Sequence, residues 1–265
     1  MILNSVFEPS FLWLPLVGLV IGILVTMFGG GGGFFYVPIL TLLFHVPTQI
    51  AAATSLAATL PTVMVGSIEH YRKGNINFKI GVIFGVAGLI GALGGVYLSG
   101  LISSALLQKL FGVYAIILTI PMIISSRKRS KKTNDEVMKT PSLTTSKIIL
   151  SSFFGIFSGI MAGLFGTSGT ASIVAGLYIL DLPVTVVVGT SVLVVLFNAV
   201  SGFAGHMIVG QFNLSLVLLL GIGSVLGAFV GPRILAKINV QTLEKVYGVL
   251  FTLLVISFGL IMFFR

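Results

Sequence analysis

Phe28-Gly29-Gly30-Gly31-Gly32-Gly33 places five consecutive glycines inside an apolar stretch that runs from Phe11 to Val46. Each glycine costs a helix interior about 1 kcal/mol relative to alanine, so the run breaks any helix that contains it. Water would solvate the exposed backbone, but in hydrocarbon every free N–H and C=O must find a partner or line a cavity. A break of this kind therefore implies a polar cavity or a bound ligand at membrane depth. A second copy, Phe165-Gly166-Thr167-Ser168-Gly169-Thr170, stands 137 positions later in the same apolar setting.

The composition places both copies in a membrane. Of 265 residues, 56% are hydrophobic and 8% charged, with a mean hydropathy of +1.16. This excludes a soluble domain, and the long continuous apolar runs exclude a β-barrel, whose strands alternate over segments of about ten residues. The fold class is an all-α polytopic membrane protein with room for about eight to ten spans. The absence of cysteine excludes disulfides, thiolate chemistry and cysteine metal sites. The net charge of +9 is not a nucleic-acid signal, because seven of the 15 Lys and Arg lie between Arg127 and Lys147, where membrane orientation explains them. Before the first apolar run there is no basic n-region, and after it no evident cleavage site, so it reads as a retained span.

The expected segments are 11–28, ended by the glycines; 34–45, only 12 residues and stopped by Pro47, a half-helix starting from the break; 48–69; 80–99; and 106–125. Residues 127–147 form a basic linker between a first membrane repeat, 1–126, and a second, 148–265. The halves match at an offset of 137, falling to 136 after one gap near Pro47. Gly22 pairs with Gly159, Phe28 with Phe165, Pro47 with Pro183, Thr54-Ser55 with Thr190-Ser191, His70 with His206, Asn77 with Asn213 and Gly85 with Gly221. Internal repeats of this kind are the signature of secondary transporters.

Charge placement predicts that the repeats are inverted. The loop after the third segment carries Arg72, Lys73 and Lys79, and the loop from Ser99 to Leu107 carries no charge. In the second half the order is swapped: His206 to Leu214 holds no Lys or Arg, and the later loop holds Arg233, Lys237 and Lys245. Equivalent loops then lie on opposite sides, with the 127–147 linker cytoplasmic and both termini outside.

Inverted repeats place the two breaks near the bilayer midplane, facing one another. A half-helix that starts at a break offers free N–H groups and the positive end of its dipole, which suits an anion. Gly31, Gly32, Gly33, Gly169 and Thr170 are the candidate backbone donors. Thr167, Ser168, Thr54, Ser55, Thr190 and Ser191 are the candidate side-chain contacts, and Asn198 is an amide that faces the cavity or joins helices. The alternative readings are tight packing for the glycines and a bond back to the same helix for each hydroxyl. Glu69, His70, Asp181 and His206 are ionisable groups at expected segment ends, where the interface hydrates them; His70 and His206, paired by the repeat, are the candidates for proton coupling. Asp181 faces Phe44 in the first half. No metal-ligand cluster, cofactor motif or nucleophile–base set appears, so an enzyme is disfavoured.

Three motifs carry a resemblance to a known family. They are the glycine break followed by a short apolar segment and a proline (Phe28 to Pro47), Ala-Thr-Ser-Leu at Ala53 to Leu56, and Gly205-His206. In this order and duplication the chain resembles the sulfite exporter TauE/SafE family of bacterial and archaeal permeases. The resemblance implies a permease in the prokaryotic cell (inner) membrane for sulfite, thiosulfate, organosulfonates or carboxylates, working by alternating access, with export the commoner direction. Its partners would be a small anionic substrate and membrane lipid, without nucleic acid, and its small-residue faces suit a homodimer. A permease for a non-sulfur solute and an anion channel are the alternatives.

Overall fold

A computed structural model describes residues 9–28, 32–129, 144–180, 182–209, 213–235 and 253–264. All regular structure among them is helical. A 3₁₀ turn, Pro9–Trp13, leads into α1 (Leu14–Phe28), and the short α2 (Gly33–Leu43) follows the first break. Three long helices complete the first half: α3 (Thr48–Arg72), α4 (Phe78–Leu101) and α5 (Ser104–Arg129). The second half repeats the order with α6 (Thr145–Phe165), the short α7 (Thr170–Ile179), α8 (Val184–Val209) and α9 (Leu214–Leu235), and α10 (Leu253–Phe264) is the last described helix.

By length and apolar composition, α3, α4, α6 and most of α8 are long enough to cross a membrane. The surface agrees with a lipid surround. Ile208, Ile149 and Ile90 are 84%, 65% and 62% exposed, while Thr54, Asn198 and His206 are fully buried. Large apolar side chains on the surface, with polar groups such as these held inside beside an apolar core, are expected when the solvent is hydrocarbon.

Helix boundaries differ from the expected segments for local reasons. α3 continues to Arg72 because the polar run Glu69-His70-Tyr71-Arg72 stays helical, closed by Lys73 N–H on the Glu69 carbonyl. α4 starts earlier, at Phe78, because the Asn77 side chain caps it by accepting from Ile80 N–H at 3.2 Å. α5 runs through Arg129 and α6 starts at Thr145, so both helices enter the stretch read as a linker. Residues 130–143 of that linker, Gly31 of the first break, and Asp181 lie outside the described residues.

The helices pack with an exchange pattern. The most extensive contacts join α4 to α6 and α1 to α9. Both interfaces rest on small residues at four-residue intervals. Gly155, Gly159 and Gly163 of α6 lie against the backbone of Phe84, Gly88 and Ala92, and Gly18 and Gly22 of α1 lie against Leu220 and Ser224. Rising numbers match rising numbers, so each pair runs parallel, with backbones in close approach. In the centre, Gly66 meets Val192 and Gly202 meets Leu56, so α3 and α8 run antiparallel. If the halves are numbered alike, α1 corresponds to α6, α3 to α8 and α4 to α9. Each major contact is then either its own image or the image of another.

Candidate functional site

The two glycine breaks meet. Gly33, the first residue of α2, packs directly on Gly166 and Thr167, leaving no room for a Cβ. Gly166 in turn lies against Ala52 of α3. The second break turns through three residues in the left-handed region: Gly166 at φ +69°, Ser168 at +63° and Gly169 at +68°. Glycine enters this region freely, but serine pays a strain cost, and such strain persists where the surroundings hold it in place.

What holds it is a set of side chains that take up the carbonyls freed by the break. A helix that ends leaves its last carbonyls unpaired, and at membrane depth each needs a donor. The Ala162 carbonyl receives Gly166 N–H at 2.7 Å. The Gly163 carbonyl pairs with His206 Nε2 at 2.9 Å, which makes this nitrogen the protonated one. The Gly166 carbonyl receives the Ser55 hydroxyl at 2.8 Å. The Ser168 carbonyl receives Asn198 Nδ2 at 3.3 Å, and the same amide donates to Ser158 Oγ at 3.2 Å. Three residues from α3 and α8 thus brace one break.

The other ends of the backbone are treated differently. Gly32 and Gly169 are the N-cap residues of α2 and α7, and neither helix start has a side-chain cap. The Gly32 carbonyl receives Phe35 and Tyr36 N–H, and the Gly169 carbonyl receives Ser172 and Ile173 N–H. The N–H groups of Gly33, Phe34, Thr170 and Ala171 fall outside the helical ladder by position. Ser168 is fully buried and its hydroxyl has no hydrogen-bond partner. The result is a buried point with the Ala162, Gly163, Gly166 and Ser168 carbonyls occupied, the starts of α2 and α7 close by and the Ser168 hydroxyl without a partner. Its chemistry suits an anion held by neutral donors.

The candidate residues divide accordingly. Gly32, Gly33, Thr167, Ser168, Gly169 and Thr170 come together at the meeting of the breaks. Ser55 and Asn198 are there too, but as supports of the backbone. Thr167 spends its hydroxyl on the Met161 carbonyl at 3.4 Å. Thr54 is fully buried with an unpartnered hydroxyl. Thr190 and Ser191 bond elsewhere: Thr190 Oγ1 accepts Asn77 N–H at 3.0 Å, and Ser191 donates to the Val188 carbonyl of its own helix at 2.8 Å.

The histidines separate. His206 is not at a hydrated helix end, as the sequence suggested; it is fully buried against α6. α8 runs on to Val209, and the break in α6 creates the carbonyl that draws the ring inward. Gly205, its neighbour, packs on Val96 near the far end of α4. His70 is half-buried in the last turn of α3, next to the loop from which α4 starts. Eighteen residues of α4 separate these levels, about 27 Å at 1.5 Å per residue. The structure therefore does not bring the pair together.

Two tyrosines at the site gave no signal in the sequence. Tyr114 of α5 stacks between Phe165 and Phe34, with centroids 5.0 and 6.0 Å away, and its hydroxyl faces Thr167 and Ser172. Tyr36 of α2 is hydrogen-bonded to Ser224 Oγ at 2.8 Å. Neither stands in a motif or at a position that the sequence analysis singled out.

The bracing account predicts a contrast between two hydroxyls one turn apart on α3. Ser55→Ala leaves the buried Gly166 carbonyl unpaired, at a cost of about 1–3 kcal/mol. Thr59 bonds only the Ser55 carbonyl of its own helix, at 2.8 Å, so Thr59→Ala should cost well below that. Thermal unfolding of the purified protein in detergent checks this; equal shifts for the two variants would contradict the account.

Comparison with known proteins agrees with this architecture. Residues 14–258 match the model of the family described as sulfite exporter TauE/SafE. The chain is 35% identical over 223 residues to the probable membrane transporter protein YdhB of Bacillus subtilis, covering 82% of this chain and 87% of the relative. It is 26% identical over 261 residues to YunE of the same organism, covering 92% and 96%. A probable membrane transporter protein of Methanocaldococcus jannaschii is 29% identical over 262 residues, covering 92% and 94%. No solved structure matches the chain significantly. The match spans both breaks and both halves, and the chain belongs to the sulfite exporter TauE/SafE family.

Proposed function

We propose that the protein is a secondary transporter that carries a small anion, a sulfur oxyanion, organosulfonate or carboxylate, outward across the cell membrane by alternating access. The observation that carries this reading is the junction of Gly33 with Gly166 and Thr167. There two uncapped half-helices begin beside the strained, unpartnered Ser168. Family membership supports the substrate class. N–H groups and a hydroxyl bind an anion without a formal positive charge, which favours release as well as capture.

Counterflow in proteoliposomes tests it, with radiolabelled sulfite, thiosulfate and ethanesulfonate, with and without a pH gradient. Saturable exchange is expected, and Ser168→Ala combined with Thr170→Val should lower the initial rate about tenfold, the equivalent of one hydrogen bond at about 1.4 kcal/mol. Flux that does not saturate would indicate a channel, and absence of flux for all three anions would remove this substrate class.

The two halves are read as inverted repeats, with the termini outside and the linker cytoplasmic. Charge placement supports this, and so does the antiparallel run of the equivalent helices α3 and α8. Two halves with the same orientation would run them parallel. In this cysteine-free chain, Asn75→Cys should be shielded from an impermeant thiol reagent applied outside intact cells, and Gln211→Cys should react. Like behaviour at both positions would contradict the inversion.

A further inference from the structure

Tyr114 carries a hydroxyl that the bracing of the break does not use. Its ring is held from both breaks. Phe165, the last residue of α6, stacks on it with centroids 5.0 Å apart, and Phe34, the second residue of α2, stacks at 6.0 Å, with interplanar angles of 19° and 20°. Phe111, three residues earlier on α5, meets Phe165 edge-on at 5.8 Å. Phe34, Phe111 and Phe165 are all buried. This aromatic wall fixes where the tyrosine ring lies, and with it the position of the hydroxyl.

The hydroxyl lies beside the side chains of Thr167 and Ser172, which bracket the turn that holds Ser168 and the N-cap Gly169. Neither neighbour completes a hydrogen bond with it. The Tyr114 hydroxyl is enclosed and has no partner, and Thr167 donates instead to the Met161 carbonyl at 3.4 Å. Ser168, within the same turn, is fully buried and its hydroxyl is also without a partner. An enclosed polar group in this state is unfavourable and rare, and two at one turn are explained if a ligand supplies the missing partners.

The two hydroxyls stand in different surroundings. Ser168 adjoins the start of α7, where N–H groups and the positive end of the helix favour charge. Tyr114 meets the turn through the aromatic wall, where charge is poorly solvated and a neutral group is hydrogen-bonded at less cost.

We propose that the Tyr114 hydroxyl touches the substrate, and that the substrate carries a neutral hydrogen-bonding group, a hydroxyl or a carbonyl, beside its charge. This contact rests on reading the junction of the breaks as the anion site, and it narrows the ligand from any small oxyanion to one with a second, uncharged polar group.

The test measures ligand-induced thermal stabilisation of the full chain in detergent, with ethanesulfonate and 2-hydroxyethanesulfonate titrated to give a dissociation constant for each. The parent should bind 2-hydroxyethanesulfonate about tenfold more tightly, the equivalent of one hydrogen bond. Tyr114→Phe keeps the stacked ring and removes the hydroxyl. It should abolish the preference, leave ethanesulfonate binding unchanged and not lower the unfolding temperature of the ligand-free protein, since no bond is lost. Ser168→Ala should weaken both probes alike. The proposal is overturned if the parent binds the two probes equally, if Tyr114→Phe keeps the preference, or if it weakens both probes to the same extent, which would assign the hydroxyl to the charge. It is also overturned if Tyr114→Phe lowers the ligand-free unfolding temperature, which would make the hydroxyl structural. If Ser168→Ala weakens both probes and Tyr114→Phe changes nothing, the junction still binds the anion and only the Tyr114 contact fails. If neither probe binds the parent, or Ser168→Ala leaves both untouched, the anion site fails with it.

Discussion

A backbone carbonyl or N–H left bare in hydrocarbon costs several kcal/mol, and most of this structure is an answer to that cost. The break between α6 and α7 frees backbone groups that water cannot reach. The Gly163, Gly166 and Ser168 carbonyls at the second break are met by His206, Ser55 and Asn198, one donor for each. The long helices α3 and α8 cross antiparallel at the centre of the molecule, where they deliver those donors. The glycine faces of α4 and α6, and of α1 and α9, bring the backbones close enough for the rest of the bundle to seal around them. Much of the fold around the site follows from one requirement, that carbonyls freed by the break find donors within the protein.

The two halves meet this requirement with different residues. Ser168 corresponds to Gly31, and Asn198 to Thr62. Ser158, which receives the Asn198 amide, corresponds to Ile21. The second half is therefore braced by a polar network that these residues of the first half do not reproduce. Thr62 is buried with an unpartnered hydroxyl at the place where its counterpart carries an amide. On the proposed reading, a substrate with one charged end and one uncharged end would suit the unlike residues of the two halves. The stacked rings of Phe34, Tyr114 and Phe165 beside the junction offer an apolar surface for the second end.

The sequence made the larger features legible because they are written in local pattern. Five glycines in an apolar run specify a break wherever they occur, and the short apolar segments after both breaks are the half-helices α2 and α7. The roles of single polar residues were not legible in the same way. Ser55 and Asn198 were recognised as important hydroxyl and amide positions, yet their partners are carbonyls 111 and 30 residues away. Those carbonyls become free only once the break has formed. His206 was read as an interfacial residue because it stands near the end of an apolar segment; its burial depends on α6 ending where it does. Tyr36 and Tyr114 carry no motif, and only the packing of distant helices places them beside Ser224 and Phe165.

The central claim is that the N-terminal ends of α2 and α7 jointly hold one anion. Anomalous diffraction from crystals of the protein grown with 2-bromoethanesulfonate tests this most directly, because the bromine marks the ligand and the sulfonate is placed beside it. The account predicts the sulfonate at the junction, within hydrogen-bond distance of N–H groups from both half-helices and of the Ser168 hydroxyl, with the bromine toward Tyr114. A ligand bound elsewhere at full occupancy, with the junction closed by protein, would contradict it.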